Sequence, residues 1–169
     1  MKTPRRLDVH TLLACAFAAA LSACGGGDDA TPAAAATTPG TLTVSAASKA
    51  SRNGSYTPTG AVFASGADSG FNGQTADGKF ELEVVWAANG TVKKAHVWFN
   101  NTPGTTNINS FFGCDGAAIA CNGVSYEPAS KQVIFTKAAL VEVADPFSGG
   151  GAKLAGGETL TLDGSVTAK

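Results

Sequence analysis

The fold turns on Phe80-Glu81-Leu82-Glu83-Val84-Val85-Trp86-Ala87-Ala88-Asn89-Gly90-Thr91-Val92-Lys93-Lys94-Ala95-His96-Val97-Trp98-Phe99-Asn100. Two apolar runs flank Asn89-Gly90, the dipeptide favoured in two-residue type I′ hairpin turns. With that pair at the tip, Ala88 faces Thr91, and Phe80 pairs with Phe99, Leu82 with Val97, Val84 with Ala95, and Trp86 with Lys93. One face of the hairpin is then apolar almost throughout. The other face pairs Glu81 with Trp98, Glu83 with His96, Val85 with Lys94, and Ala87 with Val92. A slip of one residue would mix the two sets, so the pattern itself sets the register.

Outward from this hairpin, period-two alternation recurs between glycine-rich breaks, and no helical apolar period persists beyond Thr41. Residues 41–46 and 59–64 are weaker strand candidates, and 65–79 is expected to be a polar connection. Residues 100–113 are expected to form a polar loop closing on Phe111-Phe112. A second hairpin runs from Gly123 to Glu127, turns over residues 128–131 and returns from Gln132. It pairs Val124 with Phe135 and Tyr126 with Val133, and its apolar face is expected to continue through Ala139, Val141 and Val143. Lys137 interrupts that face, which implies a bulge or an edge position. Leu160, Leu162 and Val166 alternate in a final strand. The expected fold is all-β, a small antiparallel β-sandwich or barrel of about six to eight strands.

The N-terminus has a different grammar. Lys2, Arg5 and Arg6 precede an apolar run from Leu12 to Leu21, too short to cross a hydrocarbon core of ~30 Å as a permanent helix. It reads as a secretory signal. The run closes on Leu21-Ser22-Ala23-Cys24, which resembles the lipobox of bacterial lipoproteins. The resemblance implies that the chain is cut before Cys24, that the Cys24 thiol carries a diacylglyceryl group, and that its new amino group is acylated. Residues 1–23 are then a signal peptide, 24–40 a lipidated cysteine and a flexible Gly/Ala/Pro-rich tether, and 41–169 the β-domain. Gly25 to Gly27 also resemble the glycine-rich tethers of neisserial-type surface lipoproteins, although none of those proteins' barrel motifs is recognised after Thr41.

With Cys15 in the leader and Cys24 taken by lipid, Cys114 and Cys121 remain. An exported compartment favours oxidation, so they are expected to form a disulfide. A metal site is the rival reading, but a spacing of six residues between cysteines is poor for zinc. No metal or cofactor is expected.

The whole chain of 169 residues carries 12 Lys plus Arg against 13 Asp plus Glu. Removing the leader takes three of the cations and Asp8, which leaves the mature chain mildly acidic. That excludes a basic footprint for nucleic acid. It also makes the lipid on Cys24, rather than charge, the attachment to a membrane. Phosphate-loop, zinc-hydrolase and dinucleotide motifs are absent, as is a Gly-x-Ser-x-Gly turn, so no catalytic residue is assigned. The candidate binding surface is the polar face of the first hairpin, formed by Trp98, Glu81, Glu83 and His96. An indole exposed there could stack on a sugar or anchor a protein, whereas one covered by a second sheet or loop is simply core, and a Glu83–His96 pair exposed on that face would favour the charged imidazole.

The sequence therefore describes a lipid-anchored envelope protein, a binding or structural module and not an enzyme. Its partners are the membrane and an envelope protein or glycan, at either face of the outer membrane. A surface-displayed ligand or host-factor binder is one alternative. The other is an envelope hydrolase using Glu83 and His96 with Glu81, two carboxylates about 6–7 Å apart along one strand face.

Overall fold

In a computed structural model, residues 40–100, 108–146 and 151–169 are described. The leader, the lipobox and nearly all of the tether lie outside them. The described residues form strands β1 (Leu42–Ser45), β2 (Gly54–Tyr56), β3 (Thr59–Ser65), β4 (Asp68–Gln74) and β5 (Phe80–Trp86). These are followed by β6 (Val92–Asn100), β7 (Ile108–Asp115), β8 (Val124–Glu127), β9 (Gln132–Val143) and β10 (Thr159–Thr167), with a 3-10 turn at Ala50–Arg52. All pairings are antiparallel, in the order β2-β1-β10-β9-β7-β6-β5-β4-β3, and β8 pairs with β9 alongside. Ten strands replace the expected six to eight.

The sheet curls into a half-barrel. Its two terminal strands, β2 and β3, are consecutive in the chain, separated only by Thr57 and Pro58. The Val62 N–H of β3 reaches across to the Lys169 carbonyl beyond β10 at 3.1 Å. The concave side holds the main core, in which Leu42, Phe80, Leu82, Val84, Val97, Phe112, Leu140, Leu160 and Leu162 are fully buried.

The β5–β6 register agrees with the sequence from Phe80↔Phe99 to Val85↔Lys94. It then shifts, and Trp86 pairs with Val92 instead of Lys93. The cause is the turn. Gly90 N–H donates to the Ala87 carbonyl and Ala87 N–H to Thr91, so the loop has three residues, not two. Gly90 takes a φ of +84° while Asn89 stays in the ordinary negative region, a type I turn closed by a glycine bulge rather than type I′. The extra residue lets Lys93 turn away to pair with Asp68 at 2.7 Å, and Val92 joins Trp86 in the core.

The second hairpin also forms with the expected pairs, Val124↔Phe135 and Tyr126↔Val133. The expected bulge is present at Lys137: Thr136 and Lys137 together oppose Asp163, and Lys137 has a φ of +46°. Its backbone N–H donates to Asp163 Oδ1 at 3.1 Å. The bulge has a consequence that corrects the continued face. One added residue hands the inward side to Ala138 and Leu140, leaving Ala139 exposed and Val141 on the convex side.

Two strands arise where a connection or loop was expected. β4 lies within the glycine-rich 65–79 stretch, where the Phe63 ring covers its cross-strand partner Gly70 and the Phe71 ring lies over Gly73. The ring over each glycine supplies the packing that the missing side chain cannot. β7 lacks alternation because both of its faces are covered, Phe112 by the main core and Phe111 by a second cluster. The disulfide between Cys114 and Cys121 is present, with Cα atoms 5.0 Å apart, and ties the end of β7 to the loop before β8.

Candidate functional site

The expected surface on the convex side of β5–β6 is assembled as a register but not as a site. Trp98 is only 3% exposed, packed with Phe111 and Val143 against partly buried Ile119 and Val141. Its ring centroid lies 6.2 Å from that of Phe111. The indole is core, the outcome expected for a covered face, so Trp98 is not part of an exposed binding surface. Alternation places a side chain on a face without saying what covers that face.

His96 is 5% exposed and lies across Gly113, its partner on β7. A Cβ at position 113 would fall 2.1 Å from His96 Cδ2, so only glycine leaves room for the imidazole. Burial pushes the His96 pKa below its ordinary 6.5, and Lys94 lowers it further, against weaker opposing pulls from Glu83 and Asp115. Burial therefore favours the neutral imidazole, whereas the charged form belongs to a Glu83–His96 pair exposed on that face. Glu83 instead accepts an ion pair from Lys94 at 2.6 Å, and Glu81 accepts a hydrogen bond from Asn100 Nδ2. Among the described residues no hydrogen bond or ion pair joins Glu83 to His96, so the dyad of a hydrolase is not formed. Nor do three or more His, Cys, Asp or Glu side chains come together as a metal-binding group among the described residues.

A different place gathers chemistry. The 3-10 turn brings Arg52 under the rim of the half-barrel, where it is 6% exposed. Its Nη1 pairs with Glu158 Oε2 at 2.6 Å, and its Nη2 donates to Ser110 Oγ at 2.5 Å. The guanidinium carbon stands 5.1 Å from the Phe112 ring centre and 5.7 Å from that of Phe99. Buried charge is costly unless paired and hydrogen-bonded, and here it is both. Glu142 extends the network by accepting the Glu158 N–H at 3.1 Å.

Above Arg52 opens a cleft of about 420 Å³, lined by Lys49, Ser51, Arg52, Tyr56, Asp77, Lys79, Phe99 and Asn100. Tyr56 stacks on Phe80 with ring centres 4.4 Å apart and meets Phe99 edge-on at 5.8 Å. Its hydroxyl donates to the Arg52 carbonyl at 2.8 Å, so the aromatic wall is fastened to the turn that carries the cation. Burial raises the Tyr56 pKa, with Asp77 acting in the same direction, so the phenol stays protonated. Lys79 pairs with Asp77 at 3.3 Å. Asn100 donates its Nδ2 to Gly78 O and Glu81, while its Oδ1 is enclosed without a partner among the described residues.

Sequence reasoning missed this cleft because its residues come from three separated segments and match no motif. The only trace was Lys49 and Arg52, two of the chain's 12 Lys and Arg residues, followed closely by Tyr56, one of only two tyrosines. Comparison of the chain with protein-family models, curated proteins and solved structures finds no match.

Proposed function

We propose that the chain is a lipid-anchored bacterial cell-envelope protein, held to a membrane through Cys24, whose β-domain acts as a binding or structural module and not as an enzyme. The basic start, the short apolar run and Leu21-Ser22-Ala23-Cys24 support the anchor. A disulfide between the remaining two cysteines is what an oxidising compartment outside the cytoplasm favours. With each buried methylene contributing roughly 0.8 kcal/mol, several acyl chains suffice for stable attachment.

The observation that carries the binding reading is the cleft at the rim, where charged and aromatic side chains converge on a pre-built floor. Pockets of this kind, concave and walled by aromatic rings with a few fixed polar groups, are where small-molecule sites are found. The hydrolase alternative has less support, since Glu81, Glu83 and His96 are each engaged elsewhere or buried. Of the two architectures expected, a barrel is favoured over a sandwich by the consecutive terminal strands and the Val62–Lys169 bond.

Fractionation of cells expressing the full chain with a tag after Lys169 tests this reading. Wild-type protein should sediment with membranes and Cys24→Ser protein should not be acylated and should leave the envelope pellet. Protease added to intact cells then separates a surface-facing domain, which is cleaved, from a periplasm-facing one, which is cut only after outer-membrane permeabilisation. Equal distribution of wild type and Cys24→Ser would remove the anchor.

A further inference from the structure

The charge of the cleft runs against that of the protein. The mature chain is mildly acidic, yet the cleft gathers Lys49, Arg52 and Lys79 against the single carboxylate of Asp77. Two of those cations are already matched, Arg52 by Glu158 and Lys79 by Asp77. Lys49 has no ion-pair partner among the described residues, so it is the one lining cation whose charge is left unmatched, the Glu81 carboxylate behind the lining being held by Asn100. Beside it stand the half-buried rings of Tyr56 and Phe99, which present aromatic surface next to the cation. The volume, about 420 Å³, falls at the small end of the ~300–1,000 Å³ range typical of small-molecule sites.

From this arrangement we propose that the rim cleft binds a small organic monoanion, a carboxylated monosaccharide, with its carboxylate at Lys49 and its ring against Tyr56 and Phe99. The inference rests on the binding-module reading and names the ligand class for it. One unmatched lining cation, Lys49, is available to a carboxylate, and a sugar ring offers an apolar face to the aromatic wall and hydroxyls to its polar lining. Arg52 acts as a positioning residue. Its pairing with Glu158 and its contact with Phe99 and Phe112 hold the floor, while the Tyr56 hydroxyl on its carbonyl holds the wall. Lys49, exposed on the lip, supplies the free charge.

The test uses the full chain, purified in detergent, titrated with glucuronic acid and with glucose as the uncharged control, followed by calorimetry and by Tyr fluorescence. Saturable glucuronate binding that glucose does not match is expected. Lys49→Ala should weaken it about three- to fivefold, in keeping with one exposed charge pair, and Lys49→Arg should restore it. Asp77→Asn, which releases Lys79, should tighten it by a similar factor. Raised salt should weaken it in the wild type more than in Lys49→Ala. Equal affinity for glucose and glucuronate, an unchanged Lys49→Ala protein, or no saturation at tens of millimolar would overturn the proposal. The anchor is scored separately: a membrane-held protein that ignores glucuronate loses the ligand assignment alone, while glucuronate binding by a protein that Cys24→Ser does not release removes the anchor alone.

Discussion

The two long hairpins share one grammar and differ in where each is interrupted. In β5–β6 the extra residue sits beside the turn, at Lys93, and the alternation of Phe80, Leu82 and Val84 against Phe99, Val97 and Ala95 runs undisturbed below it. In β9, paired with β8 and β10, the extra residue sits in the middle, at Lys137, and everything beyond it exchanges faces. A period-two reading survives a bulge at the end of a strand and inverts across one in the middle. The single charged residue that marks the bulge in sequence is therefore also the point where the inward set must be recounted.

The largest expected effect tests that inversion. Leu140→Ala should cost about 2–5 kcal/mol, as for a fully buried leucine, whereas Ala139→Ser should stay within about 0.5 kcal/mol. Urea unfolding of the two variants checks it, and the opposite ranking would mean that the faces do not exchange. Next comes the glycine under the imidazole. Gly113→Ala must displace His96 and should cost about 1–3 kcal/mol by overpacking. In the double variant Gly113→Ala/His96→Ala much of that loss should be recovered.

The positive-φ residues near the two bulges also differ in type. Gly90 has the positive φ that glycine tolerates, so Gly90→Ala should destabilise by about 1–2 kcal/mol. Lys137 holds a similar backbone with a side chain, so Lys137→Gly should gain up to about 1 kcal/mol. Thermal unfolding of both variants would show midpoints moving in opposite directions. A loss at Lys137→Gly would mean that its side chain contributes more than its backbone costs.

The smallest effect is the pH response of His96. Its folded pKa lies below the ordinary 6.5, so the unfolded chain takes up the proton first as pH falls. The contribution is complete above about pH 6.5 and is lost as acidity increases from there toward the folded value. Stability measured from pH 7.5 to 5.5 should decline in the wild type and run flatter in His96→Gln. A decline of equal steepness in both would assign the slope to other groups.

How far the sequence could be read follows from the same contrast. The β5–β6 pairing, the β8–β9 pairing, the bulge at Lys137 and the cysteine pair were all legible, because each rests on local pattern or simple arithmetic. β4 was hidden by Gly70 and Gly73, whose packing comes from the rings of Phe63 and Phe71, and β7 was hidden by having both faces buried. The polar face of β5–β6 was read correctly as a row of residues. The burial of Trp98 with Phe111 and Val143 depends on β7 and β9, which the hairpin's own pattern does not contain. The rim cleft was illegible for the reason that makes it a site: Lys49, Tyr56, Asp77 and Phe99 meet only after the sheet has curled.

The most direct test of the central claim is the intact mass of the mature protein extracted from the cell envelope. A chain that begins at Cys24 and carries the added mass of a diacylglyceryl group and an N-acyl chain is the predicted result. An unacylated chain, or one that begins at another residue, would contradict the lipid anchor and the envelope role built on it.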